Sequence, residues 1–163
     1  MFSYKNIAKI ETACISSALT FGLYLEHFEG LSPCALCLIQ RYLFLSALTC
    51  SFLIIFLDKF NVIIFVSNLI FLLIGAITSG RQIWLQSNPS SKSVECGAFI
   101  IENSQNFVFN IYESFMGSNQ SCSEVLWTFF DLSIASWAFL IFMFLIFINL
   151  IGLKIKLSNP EVI

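Results

Sequence analysis

Ser32-Pro33-Cys34-Ala35-Leu36-Cys37-Leu38-Ile39-Gln40-Arg41 is a short polar turn running directly into an apolar stretch that continues to about residue 58. About 20 apolar residues in a row match the hydrocarbon thickness of a bilayer when coiled as a helix. A dithiol is therefore expected at the mouth of a transmembrane helix, which points to redox chemistry at a membrane surface.

The rest of the chain agrees with a lipid environment. Of its 163 residues 58% are hydrophobic and 11% charged, with a mean hydropathy of +0.86, far too apolar for a soluble domain. Four stretches are long enough to span, at about 7–26, about 38–58, about 61–80 and about 131–152. They predict an all-α membrane protein, one integral domain over 1–163 built as a four-transmembrane-helix bundle. A closed β-barrel is excluded, because the apolar runs are continuous rather than alternating. Gly30 and Pro33 break the chain after the first helix, and Asp58-Lys59-Phe60-Asn61 makes a tight turn before the third, favouring antiparallel neighbours. Small residues four apart (Ala18 with Gly22, Gly75 with Ser79, Ala76 with Gly80) allow close helix approach in lipid.

Orientation follows from Lys and Arg, which concentrate in short cytoplasmic segments. Lys5 and Lys9 precede the first helix, Lys59 lies between the second and third, and Lys154 and Lys156 close the fourth. Both termini are predicted inside. The loops at about 27–37 and about 82–130 then face outward, the periplasm in a bacterium, where disulfides persist. The N-terminal segment reads as an uncleaved anchor, since no A-x-A site follows it. Leu31-Ser32-Pro33-Cys34 is faintly similar to a lipoprotein cleavage site, but Pro33 beside the scissile bond counts against it. Apolar patches at Phe99–Ile101 and between Phe107 and Met116 predict a short membrane-surface helix in the second loop; a small loop core is the alternative. A net charge of −2 without a basic cluster gives no nucleic-acid footprint.

Four cysteines fall in the outward segments, Cys34 and Cys37 in one and Cys96 and Cys122 in the other. A C-x-x-C at a helix N-terminus gains from the positive end of the helix dipole, which favours a thiolate on the second cysteine, Cys37. Arg41, four residues on, shares that helix face and stands at the depth of a lipid-soluble head group; snorkelling to the interface is its plainer role. A c-type haem would need His after Cys37, where Leu38 stands. Zinc would want a second close pair, and no metal site is expected. Cys96 and Cys122 alone also suit a structural clip. Cys14 and Cys50 lie inside helices and read as small buried hydrophobes. His27, the sole histidine, suits either a proton donor or interfacial filler.

Pro33-Cys34-Ala35-Leu36-Cys37-Leu38-Ile39-Gln40-Arg41 resembles the signature of the bacterial disulfide bond formation protein B (DsbB) family. Arg81-Gln82-Ile83-Trp84-Leu85-Gln86, Glu95-Cys96-Gly97, Gly117-Ser118-Asn119-Gln120-Ser121-Cys122 and Trp127-Thr128-Phe129 are similar to its later segments, as is Ser133-Ile134-Ala135-Ser136-Trp137 opening the last helix. Asp131 and Ala135 stand where members often carry Gly and Pro, and Ser87 where some carry His.

The resemblance implies a thiol:quinone oxidoreductase of the inner membrane. A periplasmic DsbA-like thioredoxin-fold partner would attack a Cys96–Cys122 disulfide. Cys122 would pass the exchange to Cys34, and Cys37 would leave as thiolate toward ubiquinone or menaquinone held by Arg41. That order agrees with exchange being fastest when the leaving thiol is the most acidic. Arg81 and Trp84 are candidates for the quinone pocket or for interfacial anchoring. The rivals are a DsbB paralogue with a dedicated partner, a quinone or vitamin K reductase using a similar dithiol, and a non-catalytic scaffold stapled by two disulfides.

Overall fold

The computed structural model describes residues 4–30, 33–57, 61–87, 125 and 127–158. Helix α1 is Tyr4–Phe28, α2 Ala35–Phe56, α3 Asn61–Ser87 and α4 Ile134–Ser158. Two-residue strands β1 (Thr128–Phe129) and β2 (Leu132–Ser133) form a hairpin just before α4. Cys96, Cys122, the expected membrane-surface helix and the turn at Asp58–Phe60 lie outside the described residues.

The four helices form a bundle in which α2 packs on α3, α3 on α4, and α1 on both α2 and α4. Leu36–Phe56, Val62–Ser87 and Ile134–Ser158 are each long and apolar enough to cross a membrane. At 1.5 Å per residue, 21 residues rise about 31 Å, close to a hydrocarbon core. Helix α1, also expected to span, matches them in length but carries Lys5, Lys9, Glu11 and Glu26. Phe52, Ile63, Ile77 and Phe147 project outward from α2, α3 and α4 and are more than half exposed on the isolated chain, as lipid-facing side chains should be.

Contacts inside the bundle come from close packing, since lipid offers little hydrophobic drive between helices. The central core joins Ile15, Phe44, Ala47, Leu72, Ala76, Phe142 and Leu145. Phe44 and Phe142 stack across the bundle with ring centroids 4.0 Å apart and planes 6° from parallel. Gly75 makes this possible, because a Cβ there would overlap the Phe142 ring. A second cluster of Tyr4, Ala8, Ile54 and Phe65 fills one end. Cys34, Leu36 and Leu85 fill the other.

The helices differ from the sequence reading at several limits, α4 running on to Ser158 rather than about 152, and two of the differences bear on the site. Helix α3 runs to Ser87 rather than to about 80, because Arg81–Gln86 continues the helix against the start of α2. Helix α4 starts at Ile134 rather than about 131, since Phe130 and Asp131 take φ of 53° and 59° in the hairpin turn. Two left-handed residues suit a two-residue hairpin loop, where Asp is tolerated and Phe is not favoured.

Candidate functional site

The site forms where the end of α1, the start of α2, the end of α3 and the start of α4 converge. Gly30, at φ 64°, ends the α1 segment in a left-handed conformation open to glycine. Pro33 and Cys34 then lead into α2. Cys34 is the N-cap residue, at φ −75° and ψ 167°, with no side-chain cap bond. The Leu38 amide donates to the Cys34 carbonyl at 3.1 Å and closes the first turn. That turn brings the two sulfurs together, and the Cys34 thiol donates to Cys37 Sγ at 3.2 Å. Cys34 is buried and Cys37 half-buried.

A donor from α3 reaches both sulfurs. Gln82 Nε2 donates to Cys37 Sγ at 3.2 Å and approaches Cys34 Sγ at 3.5 Å. Gln40 Nε2 in turn donates to Gln82 Oε1 at 2.9 Å, orienting the amide so that its nitrogen faces the thiols. Both glutamines are buried. An aligned N–H at this position supports negative charge as it develops on a sulfur.

Arg41 comes from the next turn of α2 and crosses to α1. Its Nη1 donates to Glu26 Oε2 at 2.6 Å. The guanidinium runs alongside Gly22, where a Cβ would lie at ordinary contact distance, 4.0 Å, from Nη2. The register of Arg41 with Cys37 was visible in the chain, but its carboxylate partner was not.

The far wall comes from the hairpin and α4. Ser133 Oγ donates to Gln86 Oε1 at 2.7 Å and accepts from the Ser136 amide at 3.3 Å, so it caps α4 and ties α4 to α3. Trp137 Nε1 donates to the Phe129 carbonyl at 3.1 Å. Trp127 stacks on Phe129 and meets the edge of Phe21.

These walls line a mainly apolar, half-open pocket of about 190 Å³, bordered among others by Cys34, Cys37, Arg41, Phe44, Gln82 and Trp137. A dry apolar cavity of about 150 Å³ holds a benzene, so a substituted six-membered ring fits here with polar groups at one side. Of the sequence-stretch candidates, Arg81 and Trp84 do not line the cavity, and Trp84 faces outward. Their neighbours Gln82 and Gln86 line it instead. His27 is exposed against Phe28, away from the cavity. Cys50 is buried in α2 and Cys14 packs against the central core, as small apolar side chains.

Hydropathy and spacing do not single out Gln40, Gln82 or Glu26 individually. Their signal was available: a polar side chain inside an apolar helix must find a partner.

The model of the family "Disulfide bond formation protein DsbB" matches residues 6–152. Disulfide bond formation protein B of Polaromonas sp. is 34% identical over 149 residues, covering 89% of this chain and 87% of that one. The protein of the same name from Polaromonas naphthalenivorans is 36% identical over 140 residues, covering 83% and 82%. Disulfide bond formation protein B 1 of Pseudomonas aeruginosa is 35% identical over 134 residues, covering 80% and 82%. No solved structure matches the chain.

Proposed function

Because the chain belongs to the DsbB family, and is on that ground a membrane disulfide oxidoreductase, we propose that it reoxidises a periplasmic DsbA-like thioredoxin-fold protein and delivers the electrons to a membrane quinone. The observation that carries this reading is the thiol pair at the wall of a ring-sized apolar cavity, with a guanidinium and an amide donor in the same wall. The protein sits in the inner membrane with both termini cytoplasmic and its cysteine loops periplasmic.

The relay begins when a thiolate of the reduced partner attacks Cys96 of a Cys96–Cys122 disulfide, releasing Cys122 as thiolate. Cys122 attacks Cys34 of the oxidised Cys34–Cys37 pair, and Cys37 leaves as thiolate. The partner's second thiolate resolves its mixed disulfide, freeing Cys96. Cys96 then attacks Cys122, restoring their bond and releasing Cys34. The partner is oxidised and the Cys34–Cys37 pair reduced, a balanced exchange of two electrons. Gln82, oriented by Gln40, supports the charge on the Cys37 sulfur as it leaves.

The cavity fits a quinone head group: Phe44 and Trp137 offer apolar contact to a ring, and Arg41 is the donor suited to a carbonyl oxygen. When bound, a quinone takes up the two electrons and two protons released as the Cys34–Cys37 bond closes again. Ubiquinone and menaquinone share that chemistry.

The deciding experiment follows quinone absorbance when the detergent-purified chain is mixed with a reduced DsbA-like protein and ubiquinone or menaquinone, with Cys37→Ser as control. Turnover lost in the variant is the expected result. Wild-type protein with its cysteines paired and no turnover with either quinone would overturn the reading in favour of a stapled scaffold or a paralogue with another partner.

A further inference from the structure

Gln82 and Gln86 stand one turn apart on the same face of α3, about 6 Å along its axis. Each has its carbonyl oxygen claimed by a different element. Gln82 Oε1 accepts from Gln40 Nε2 of α2 at 2.9 Å. Gln86 Oε1 accepts from Ser133 Oγ, immediately before α4, at 2.7 Å. The Ser133 proton is committed to that bond, because the Ser136 amide donates to Ser133 Oγ at 3.3 Å and the Ser136 hydroxyl lies 3.1 Å from it. An amide held by its oxygen also has the direction of its NH2 group fixed. The Gln82 nitrogen is used on the two sulfurs. The Gln86 nitrogen has no hydrogen-bond partner among the described residues, although Gln86 lines the same pocket.

Cys37 and Gln82 meet at 3.2 Å and set a common level on α2 and α3, which pack together and run in opposite directions. Arg41 lies one turn from Cys37 toward Phe44 and the central core. Gln86 lies one turn from Gln82 toward the hairpin. The pocket therefore carries a donor on each side of the thiols. A para-quinone has its two carbonyl oxygens at opposite ends of the ring, and both gain negative charge on reduction. Arg41 suits one of them. In a mainly apolar pocket the other needs its own donor, since a polar atom removed from water and left unpaired is costly. Gln40 is engaged with Gln82, Ser133 with Gln86, and Trp137 Nε1 with the Phe129 carbonyl.

Resting on the quinone-reducing function proposed for the chain, we propose that Gln86 is a second quinone-binding residue. Its amide N–H donates to the carbonyl oxygen opposite the one bound by Arg41, and Ser133 holds it in that orientation. The two ends of the ring are then held by two different helices, α2 and α3.

Binding of a short-chain ubiquinone to the oxidised full chain in detergent tests this without turnover. Gln86→Glu, at mildly alkaline pH, keeps an oxygen for Ser133 and replaces the amide donor with a carboxylate; Gln86→Met removes both functions. Each should raise the dissociation constant about three- to tenfold. Infrared spectra of bound ubiquinone, isotope-labelled at one carbonyl or the other, should show both stretches lowered in the wild type. One of them should return to its detergent frequency in each variant. Affinity and both stretches unchanged in Gln86→Glu, when the wild type binds and reduces quinone, would overturn the role of Gln86 alone. So would an effect confined to Gln86→Met, which traces to the tie with Ser133, or a stretch released by Trp127→Phe instead. A wild-type chain that binds neither ubiquinone nor menaquinone would overturn the proposal together with the function on which it rests.

Discussion

Arg41 and Glu26 are joined across the gap between α2 and α1, with Nη1 donating to Oε2 at 2.6 Å. Both are partly exposed, 24% and 39% by side chain, so the pair contributes at most about 1 kcal/mol to stability. Its effect on position is larger, because an arginine side chain has many rotamers and a carboxylate selects one of them. Glu26→Gln should leave the unfolding midpoint nearly unchanged and raise the apparent KM for ubiquinone about three- to tenfold, with a smaller change in kcat. Equal kinetics in the variant would show that Arg41 needs no partner. Arg41→His, by contrast, should weaken quinone use directly.

The second prediction concerns the amide chain from Gln40 through Gln82 to the sulfurs. Gln82→Leu removes the donor to Cys37 and strands the buried Gln40 amide, costing about 1–3 kcal/mol of stability. It should also slow electron transfer from the reduced protein to quinone by roughly tenfold, the size of one lost transition-state hydrogen bond. Gln40→Leu should produce a smaller rate loss, since Gln82 keeps its nitrogen but loses its orientation. A stopped-flow trace unaffected by Gln82→Leu would remove this residue from the chemistry.

Glycines inside the bundle separate sharply by what a methyl group would meet. At Gly75 it would overlap the Phe142 ring, and at Gly152 it would lie 2.9 Å from Phe65 Cε1. Gly75→Ala should therefore destabilise by about 1–3 kcal/mol, despite the better helix propensity of alanine. At Gly80 the nearest atom is 3.7 Å away, on Phe139. Gly80→Ala should be neutral or slightly stabilising. Unfolding midpoints in one detergent rank the two variants, and a destabilised Gly80→Ala would contradict the packing described.

Ser133 both caps α4 and holds Gln86. Ser133→Ala should cost about 0.5–2 kcal/mol, the range for losing a helix cap. It should also loosen the hairpin against the cavity wall, seen as faster labelling of Cys37 by a maleimide. Ser133→Asp retains a capping oxygen and should recover most of the stability, while Gln86 loses its hydroxyl donor.

Much of this protein is legible along the chain because lipid imposes a simple rule. Uninterrupted apolar segments of spanning length must become helices, and Pro33 with the adjacent cysteines marks where one begins. The dithiol at the start of α2 and the family resemblance both follow from local sequence. Helix limits were less legible: Arg81–Gln86 reads as a polar loop in isolation but extends α3, because its glutamines find partners on α2 and at Ser133. Asp131, placed in the fourth helix by its apolar neighbours, belongs to a turn whose backbone the hydropathy pattern does not record.

Composition and spacing thus determined a helical membrane protein with a dithiol at one helix mouth. Tertiary structure decided which side chains those thiols and Arg41 meet. Periodicity describes each helix about its own axis, whereas Gln82 against Cys37, Glu26 against Arg41, and Glu11 with Asn68 depend on how helices rotate and cross. Those rotations are settled by packing of Phe44 on Phe142 over Gly75 and by the need to pair every polar group removed from water.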